Sequence, residues 1–406
     1  DINAQSWADI EAESGVSRAE IERLADIYMR STSAVFAWGM GMTHHAHGVE
    51  NIEYISNLAL MRGMIGRPNA GLLPLRGHSN VQGVGTIGVK PVLSQDVVDR
   101  MEETLGLSLP KGVGMDTMAA MEAAGDGKID AAVLLGGNLF AANPDSDWAA
   151  RALDQIGFRL CLTTTLNASH VFGVESGEML VLPVAARDEE WEPTTQESMF
   201  NYVRLSDGGI TRLADVRPES AILADIGARL LPNGPIDFDA FKRHRSVRQA
   251  IAAIVPGMED LADIDVAKRE FHVRNRLMHT PEFLTSNSKA RFKTHASQTP
   301  VGSGDEVWPF TLMTVRSEGQ FNSIIYEHKD TYRGTDTRWS VLMNKQDMDA
   351  AGLKPGDRAD LRSEHGVMTG VKVYSFDLPR GDVMAYYPEA NVLTSRAVDP
   401  RSKTPA

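Results

Sequence analysis

The most constraining feature of this sequence is a series of short, continuously apolar runs that end in glycine, threonine or asparagine. Ala34–Trp38 leads into Gly39-Met40-Gly41, and Ala131–Leu135 leads into Gly136-Gly137-Asn138. Phe158–Leu162 leads into Thr163-Thr164-Thr165. Helical patterns separate these runs, so the sequence predicts a doubly wound, mostly parallel sheet that is covered on both faces. In such α/β sheets ligands bind beyond the carboxyl ends of the strands. We expect this domain over residues 1–190.

The remainder of the chain has a different pattern of predicted secondary structure. Residues 191–299 predict a mixed helical and irregular segment, with helices near Glu219–Leu230 and Asp239–Ile254. Residues 300–406 predict a small β-barrel, because short β-type runs alternate with turns such as Lys354-Pro355-Gly356-Asp357. Those runs are Phe310–Val315, Ala359–Arg362, Val367–Tyr374 and Asp382–Tyr386. Earlier in the chain, the helix expected at about Glu50–Met64 is apolar nearly all round, which predicts that it is buried.

Composition narrows the class of protein. The 406 residues are 42% hydrophobic and 23% charged, which is typical of a globular protein. Lys and Arg number 41 against 54 Asp and Glu, and the resulting formal charge of −13 argues against a nucleic-acid binder. The apolar runs are too short for a membrane span. The chain starts at Asp1 without a targeting pattern, so we expect it to be cut from a longer protein.

Cys161 is the single cysteine. It cannot form a disulfide within the chain, and it cannot by itself build a Cys-ligated iron–sulfur or zinc site. Its position inside the apolar run Phe158–Leu162 predicts a buried, inert thiol.

Gly83-Val84-Gly85-Thr86-Ile87-Gly88 fits the G-x-G-x-x-G pattern of dinucleotide-binding loops. A Rossmann fingerprint follows a strand and opens a helix. Here polar residues precede the glycines and Pro91 follows them, which predicts a loop and disfavours NAD binding. As a loop, the segment would let backbone N–H groups approach an anionic ligand.

Three further groups of residues are candidates for chemistry. His44, His45 and His47 have no Asp, Glu or Cys at a familiar metal-ligand spacing, which favours hydrogen bonding or proton transfer near a ligand over a metal site. Arg76 is either an ordinary arginine, at the surface or in a salt bridge, or a guanidinium that binds a small anion. Asp145, in Asn143-Pro144-Asp145-Ser146, either caps a helix or accepts two hydrogen bonds from a guanine edge.

Four blocks of sequence resemble the molybdopterin oxidoreductase family (DMSO reductase superfamily), especially its formate dehydrogenase alpha-subunit-like branch. They begin with Trp38–His45 with Gly48, and continue with Arg62–Gly71 running into Pro74–Gly83. The third block is Gly136-Gly137-Asn138 with Asn143-Pro144-Asp145. The fourth spans Arg316, Asp349–Asp357 and Asn391–Thr394. The blocks occur in the family's order and cover most of the chain.

The resemblance implies a molybdenum or tungsten atom held by two molybdopterin guanine dinucleotides, and a C-terminal double-psi β-barrel-like domain. It implies catalytic roles for Arg76, which would orient a substrate carboxylate, and for His78 in the same pocket. It implies that the following residues bind the cofactor: Gly39, Gly41, Thr43, His45, Asn80, Gln82, Gly83, Gly136, Asn138, Asp145, Thr164, Asn167, Arg316, Gln320, Asn322, Tyr387 and Asn391.

The family's metal-ligating cysteine or selenocysteine, and any iron–sulfur ligands, would precede Asp1, because Cys161 does not match them. Thr163-Thr164-Thr165 stands where many relatives have an acidic residue, so recognition of the second guanine is expected to differ. The implied function is two-electron oxidation of a small anion such as formate, in the cytoplasm, with an electron-acceptor protein or subunit. The alternatives are a catalytically inactive structural subunit of an electron-transfer assembly and an NAD-linked dehydrogenase.

Overall fold

The computed structural model describes residues 5–44, 46–274, 280–295 and 307–405. In chain order its helices are α1 Trp7–Ser14, α2 Arg18–Arg30, α3 Gly48–Met61, α4 Val81–Thr86, α5 Gln95–Leu105, α6 Thr117–Gly125, α7 Leu139–Ala142, α8 Ser146–Asp154, α9 Glu219–Leu230, α10 His244–Ile254, α11 Ile264–Ala267 and α12 Lys345–Ala350. Its strands are β1 Val35–Trp38, β2 Gly71–Pro74, β3 Ala131–Leu135, β4 Phe158–Thr163, β5 Glu178–Pro183, β6 Thr194–Glu197, β7 Tyr202–Ser206, β8 Phe271–His272, β9 Thr311–Val315, β10 Gln320–Phe321, β11 Ile324–Ile325, β12 Ser340–Met343, β13 Arg358–Arg362, β14 Val367–Ser375 and β15 Asp382–Tyr386.

The chain divides into two compact units, and each unit is made of two separated stretches of sequence. The first unit comprises residues 1–116 and 183–297, and the second comprises residues 117–182 and 298–406. The three domains that the sequence predicts, residues 1–190, 191–299 and 300–406, stay a prediction.

In the first unit, β1 and β2 form a parallel pair in which Val35 lies opposite Gly71 and Trp38 opposite Pro74. Helix α2 begins at the capping box that the sequence predicts, because Ser17 accepts from the backbone of Glu20 and Glu20 bonds back. A small core joins this pair of strands to the helices, and its buried members are Ala59, Met64 and Ile65.

The prediction that the helix around Glu50–Met64 is buried is wrong for much of its surface. The helix spans Gly48–Met61, and Leu58 and Met61 on it are 46% and 67% exposed. Apolarity on all sides of a helix does not say which sides have a neighbour, and here only part of the surface is covered.

A second core of the first unit holds the helices that follow residue 183. The strands β6, β7 and β8 form an antiparallel sheet, in the order β6-β7-β8. Val203 of β7 packs with Ile254 of α10, Ile264 of α11 and the buried residues Met258 and Val273. Helix α9 has the bounds that the sequence predicts, whereas the helix expected over Asp239–Ile254 starts at His244, after a separate 3-10 turn over Ala240–Lys242.

In the second unit, β4 lies between β3 and β5, and β3 pairs in parallel with β4 from Ala131–Phe158 to Leu135–Leu162. Helices α6 and α8 supply its core residues Met121, Ala149, Leu153 and Ile156. The single sheet predicted for residues 1–190 is therefore two separate sheets, β1-β2 and β3-β4-β5. Coverage on both faces is also wrong for β3, because Val133 and Leu135 are 54% and 52% exposed.

The C-terminal part of the second unit is a mixed five-stranded sheet with the order β13-β14-β12-β15-β9. The pairs β12–β14 and β15–β9 are parallel, whereas β12–β15 and β13–β14 are antiparallel. Its core includes Val341, Met368, Val371, Val373 and Ala385. The four predicted β-type runs are strands β9, β13, β14 and β15, and a mixed α/β fold is confirmed. The double-psi barrel stays a prediction.

Candidate functional site

Two predicted site loops of the first unit start at the same edge of a sheet. Because β1 and β2 are parallel and in register, the segment after Trp38 and the segment after Pro74 leave side by side. The backbone N–H of Leu75 donates to the carbonyl of Trp38 at 2.9 Å, which fixes the point of departure. The structure therefore brings the loop carrying Gly39 and Gly41 next to the loop carrying Arg76.

Arg76 is exposed and its Nη2 donates to Oε1 of Gln82 at 3.1 Å. Within the described residues Arg76 forms no ion pair with a carboxylate. The structure therefore leaves two of the alternatives, a surface arginine and a guanidinium that binds a small anion. The amide of Gln82 orients the guanidinium without neutralising its charge. His78 lies two residues further along the same loop and is partly buried.

Asn80 and Gly83 hold this loop against the neighbouring sheet. The side-chain oxygen of Asn80 accepts from the backbone N–H of Glu197 in β6 at 3.0 Å, and Asn80 adopts a left-handed φ of 64°. A Cβ at Gly83 would lie 2.0 Å from the Asn80 side-chain oxygen. Both residues thus have contacts within the protein, and their cofactor-binding role stays a prediction.

The prediction that Gly83–Gly88 is a loop is wrong. Helix α4 spans Val81–Thr86, so Gly83 and Gly85 lie inside a short helix and not in the turn between a strand and a helix. A Rossmann fingerprint requires its glycines in that turn, which removes the structural basis of the NAD alternative.

Gly39 and Gly41 border open space. A Cβ at either residue would meet no atom within 4 Å, so the backbone here is accessible to a ligand at close range. Thr43 closes the short helix Met40–Met42 by donating its backbone N–H to Met40 at 3.0 Å. His45 lies outside the described residues. His47 Nδ1 is 3.2 Å from Oε2 of Glu50. In the part of the chain that the structure describes, no group of three His, Cys, Asp or Glu side chains is arranged to hold a metal ion.

A second set of predicted residues gathers at the carboxyl ends of β3 and β4 in the second unit. Gly136 and Gly137 have φ values of 59° and 72°, which favour glycine, and a Cβ on either would meet no atom within 4 Å. Asn138 caps α7 and its side-chain oxygen also accepts from Ser169 at 2.8 Å. Asn167 donates its side-chain N–H to the carbonyl of Gly137 at 2.7 Å. Thr164 is exposed just after β4.

Asp145 caps the N-terminus of α8, which is one of the two roles that the sequence predicts for it. Its Oδ1 accepts from the backbone N–H of Trp148 at 3.0 Å, and its Oδ2 is 3.6 Å from Nε of Arg396. Arg396 also stacks over the Trp148 ring at 5.0 Å. A guanine would have to use Oδ2 in competition with Arg396, and guanine binding by Asp145 stays a prediction.

Asn391 joins the last part of the chain to this site. It is 4% exposed, and its side-chain N–H groups donate to the carbonyls of Ala141 at 2.9 Å and Asn143 at 2.8 Å. Its own carbonyl accepts from the backbone N–H of Asp145 at 2.8 Å. Asn391 therefore fixes the turn between α7 and α8.

The remaining predicted residues form one cluster. Gln320 donates to the carbonyls of Asn322 at 2.6 Å and Tyr387 at 2.8 Å, and it accepts from the N–H of Ser317 at 3.0 Å. The guanidinium of Arg316 stacks on the Tyr387 ring at 4.3 Å. Burial raises the pKa of the Tyr387 hydroxyl, and the nearby Arg316 opposes that shift. The structure thus presents a cation stacked on an aromatic ring, fixed by the Gln320 amide.

Two family models match the sequence, and together they include the predicted site residues of both units. Residues 19–169 match the model described as Molybdopterin oxidoreductase, and residues 310–406 match the one described as Molydopterin dinucleotide binding domain. The chain belongs to the molybdopterin oxidoreductase family. Its cofactor is accordingly molybdenum bis-molybdopterin guanine dinucleotide.

Relatives are found at moderate and low identity. An uncharacterized oxidoreductase of Mycobacterium tuberculosis is 34% identical over 399 residues, which cover 93% of this chain and 50% of that protein. Protein YdeP of Escherichia coli is 31% identical over 423 residues, which cover 100% of this chain and 55% of that protein. The F420-dependent formate dehydrogenase 2 subunit alpha of Methanococcus maripaludis is 23% identical over 416 residues, which cover 96% of this chain and 59% of that protein. The chain therefore spans about half to three fifths of the length of these curated relatives.

The solved structure of acetylene hydratase from Pelobacter acetylenicus has the same fold. The TM-score is 0.66 at 13% sequence identity, and the match covers 95% of this chain and 61% of that one. Among the residues that the structure describes, the helices are too short or too polar to cross a bilayer.

The residues present fit the family's cofactor. In the first unit, Gly39 and Gly41 leave their backbone open to close approach by an anionic group. In the second unit, Gly136 and Gly137 do the same. Cys161 does not take part: it is 2% exposed, and burial raises the pKa of its thiol, as the prediction of an inert cysteine requires. The metal ligand is therefore not this thiol.

Sequence reasoning missed a buried polar network behind Tyr387. Arg338 forms two hydrogen bonds with Glu389, at 2.6 and 2.9 Å, and donates to the carbonyl of Tyr387 at 2.6 Å and to Ser317 at 2.5 Å. Asp330 accepts from the neighbouring Tyr386 hydroxyl at 3.0 Å, and burial raises the pKa of Tyr386 to about 12. The only sequence signal is a charged residue directly before the apolar run of β12.

Proposed function

We propose that this chain is the C-terminal portion of a formate dehydrogenase-like enzyme that oxidises a small anion such as formate by two electrons. The observation that carries the proposal is the exposed, unneutralised guanidinium of Arg76 at the edge where the loops after β1 and β2 meet. The sequence similarity to a formate dehydrogenase alpha subunit supports the choice of a carboxylate substrate.

The proposed roles of the chain's own residues follow from their chemistry. Arg76 binds the substrate carboxylate through its planar fork, and Gln82 keeps that fork oriented. His78, two residues further along the same loop, accepts the proton that leaves when formate becomes carbon dioxide. When bound, the molybdenum (or tungsten) centre supplies the two-electron redox chemistry.

The proposed cofactor contacts are divided between the two units. Gly39, Gly41, Thr43 and His45 border one pterin, with Asn80, Gln82 and Gly83 behind the Arg76 loop. In the second unit, the candidates for phosphate, guanine and pterin contacts are Gly136, Asn138, Asp145, Thr164, Asn167, Arg316, Gln320, Asn322, Tyr387 and Asn391. A double-psi barrel over residues 300–406, a cytoplasmic location and an electron-acceptor protein or subunit belong to the same proposal.

The test replaces Arg76 in the full-length protein. A hydrogen bond to a charged group contributes about 1.5–3 kcal/mol, so Arg76→Ala should reduce formate-dependent dye reduction by about tenfold or more. Arg76→Lys keeps the charge but loses the bidentate geometry and should retain an intermediate rate. The matched control is Arg100→Ala, an exposed arginine of α5 paired with Asp96 at 3.0 Å, which should leave the rate unchanged.

Metal and guanine nucleotide contents are measured on each variant, because a lost cofactor would mimic a lost substrate contact. Equal rates for wild type and Arg76→Ala with full cofactor would remove Arg76 from the substrate site. The alternative of a catalytically inactive subunit predicts neither formate-dependent dye reduction nor any effect of Arg76→Ala.

A further inference from the structure

The first unit has a cavity of about 310 Å³, open to solvent on one side, between α5, α9 and α10. Its wall is almost entirely apolar and includes Met101 and Leu105 of α5, Leu223 of α9, Ile251 of α10 and Phe238. An apolar cavity of about 150 Å³ already takes up benzene. A cavity of this size is within the range of ligand pockets.

The walls of this cavity are tied to one another. A Cβ at Gly227 of α9 would lie 2.5 Å from the Phe238 ring, so the ring packs directly on the helix backbone. Lys242 Nζ is 2.6 Å from Oδ1 of Asp225 on α9 and 2.6 Å from Asp239. These contacts hold the Phe238–Lys242 segment in place, so the cavity cannot close by a small movement of that segment.

One polar side chain, Ser220, lines the cavity. Its Oγ is 3.1 Å from Nε2 of His244, which is itself 3.1 Å from Oε2 of Glu190. Nδ1 of His244 is 3.3 Å from the carbonyl of Glu192. The Glu190 carboxylate, as the acceptor facing the ring, raises the pKa of His244, against the opposing effect of burial.

This arrangement favours binding over catalysis. Both ring nitrogens of His244 face oxygen acceptors, so the imidazolium is stabilised and has no free nitrogen to deprotonate Ser220. The Glu190 carboxylate already faces the His244 ring, so an ionic head group of a ligand would compete with that ion pair. The hydroxyl of Ser220 remains as a partner for one hydrogen-bonding group of a ligand.

We propose that this cavity binds one neutral, mainly apolar molecule of about ten heavy atoms whose single hydroxyl or carbonyl group bonds to Ser220. The site lies in the first unit, is formed by residues outside those that we assign to the cofactor or substrate, and is independent of the proposed oxidation of formate.

The test compares three probes with the same ring system by titration calorimetry of the full-length protein: 2-naphthol, naphthalene and 2-naphthoate. We expect 2-naphthol to bind with a stoichiometry of one and more tightly than the other two. Ser220→Ala should weaken 2-naphthol binding by about two- to tenfold, the effect of one neutral hydrogen bond, and should leave naphthalene binding unchanged.

Ala250→Phe fills the cavity and should abolish binding of every probe, whereas Ala253→Phe, on the exposed side of the same helix, should not change it. A second measurement does not depend on folding of the filled variant. The methyl resonance of Met101, assigned with Met101→Leu, should shift on addition of 2-naphthol. Tighter binding of 2-naphthoate, unchanged binding in Ala250→Phe, or an unmoved Met101 resonance would each overturn the proposal.

Discussion

Replacing Arg338 by Met would remove the centre of the buried network behind Tyr387. The Arg338 side chain is 2% exposed and its partner Glu389 is 19% exposed. Removing one member of a buried ion pair costs about 3–5 kcal/mol because the other charge is left uncompensated. Water can reach part of Glu389, so we expect Arg338→Met to cost about 3 kcal/mol, at the lower end of that range.

Glu389→Gln should cost more than Arg338→Met, because the charge that it leaves unpaired is the more deeply buried one. The double variant Arg338→Met/Glu389→Gln should cost less than the sum of the single variants by about 1–3 kcal/mol, since no isolated charge remains.

The assay is native-state hydrogen exchange of peptides that contain β12 and β15, which gives local free energies without assuming that the whole protein unfolds in one step. If the single-variant costs are additive in the double variant, the ion pair does not contribute as the geometry indicates. Met at 338 keeps much of the side-chain volume, so an additive result could not be attributed to a cavity.

Three further changes test other parts of the structure. Gly83→Ala places a Cβ 2.0 Å from the Asn80 side chain and should lower the thermal midpoint of unfolding. Gly85→Ala lies in the same helix, its Cβ would have no atom within 4 Å, and it should raise the midpoint because alanine has the higher helix propensity. Equal effects of the two variants would contradict the close approach at Gly83. Asn391→Leu leaves the carbonyls of Ala141 and Asn143 without their donor and should speed hydrogen exchange in α8, and unchanged exchange would speak against that link. Glu190 raises the pKa of His244 above its usual value near 6.5. The contribution of this interaction to the unfolding free energy is therefore complete below pH ~6.5 and is lost as the pH rises through the pKa of His244 in the folded protein. The difference in unfolding free energy between wild type and His244→Gln, measured by urea titration, should therefore shrink above pH ~6.5, and a difference that grows with pH would refute this.

The sequence predicted those features that depend on local pattern. The apolar runs that became β1, β3 and β4 are continuous and end in residues suited to tight turns, so both their type and the position of the loops after them could be inferred. The cap at Asp145 was one of two alternatives from the sequence, because Asp before a helix satisfies the orphan N–H groups of the first turn.

The features that were wrong or missed depend on long-range contacts. Helix α4 forms despite its glycines, and Asn80, directly before it, bonds to Glu197, which is 117 positions away. Arg338 and Glu389 are 51 positions apart, and no periodicity in the sequence pairs them. Which strands pair in which sheet likewise depends on contacts between distant segments, and apolar runs alone do not predict it.

The most direct test of the central claim is metal and nucleotide analysis of the purified full-length protein after acid release of the cofactor. We predict molybdenum (or tungsten) accompanied by two guanine nucleotides for each metal atom. Protein that is folded and free of both metal and guanine nucleotide, when produced in a host that makes this cofactor, would contradict the account.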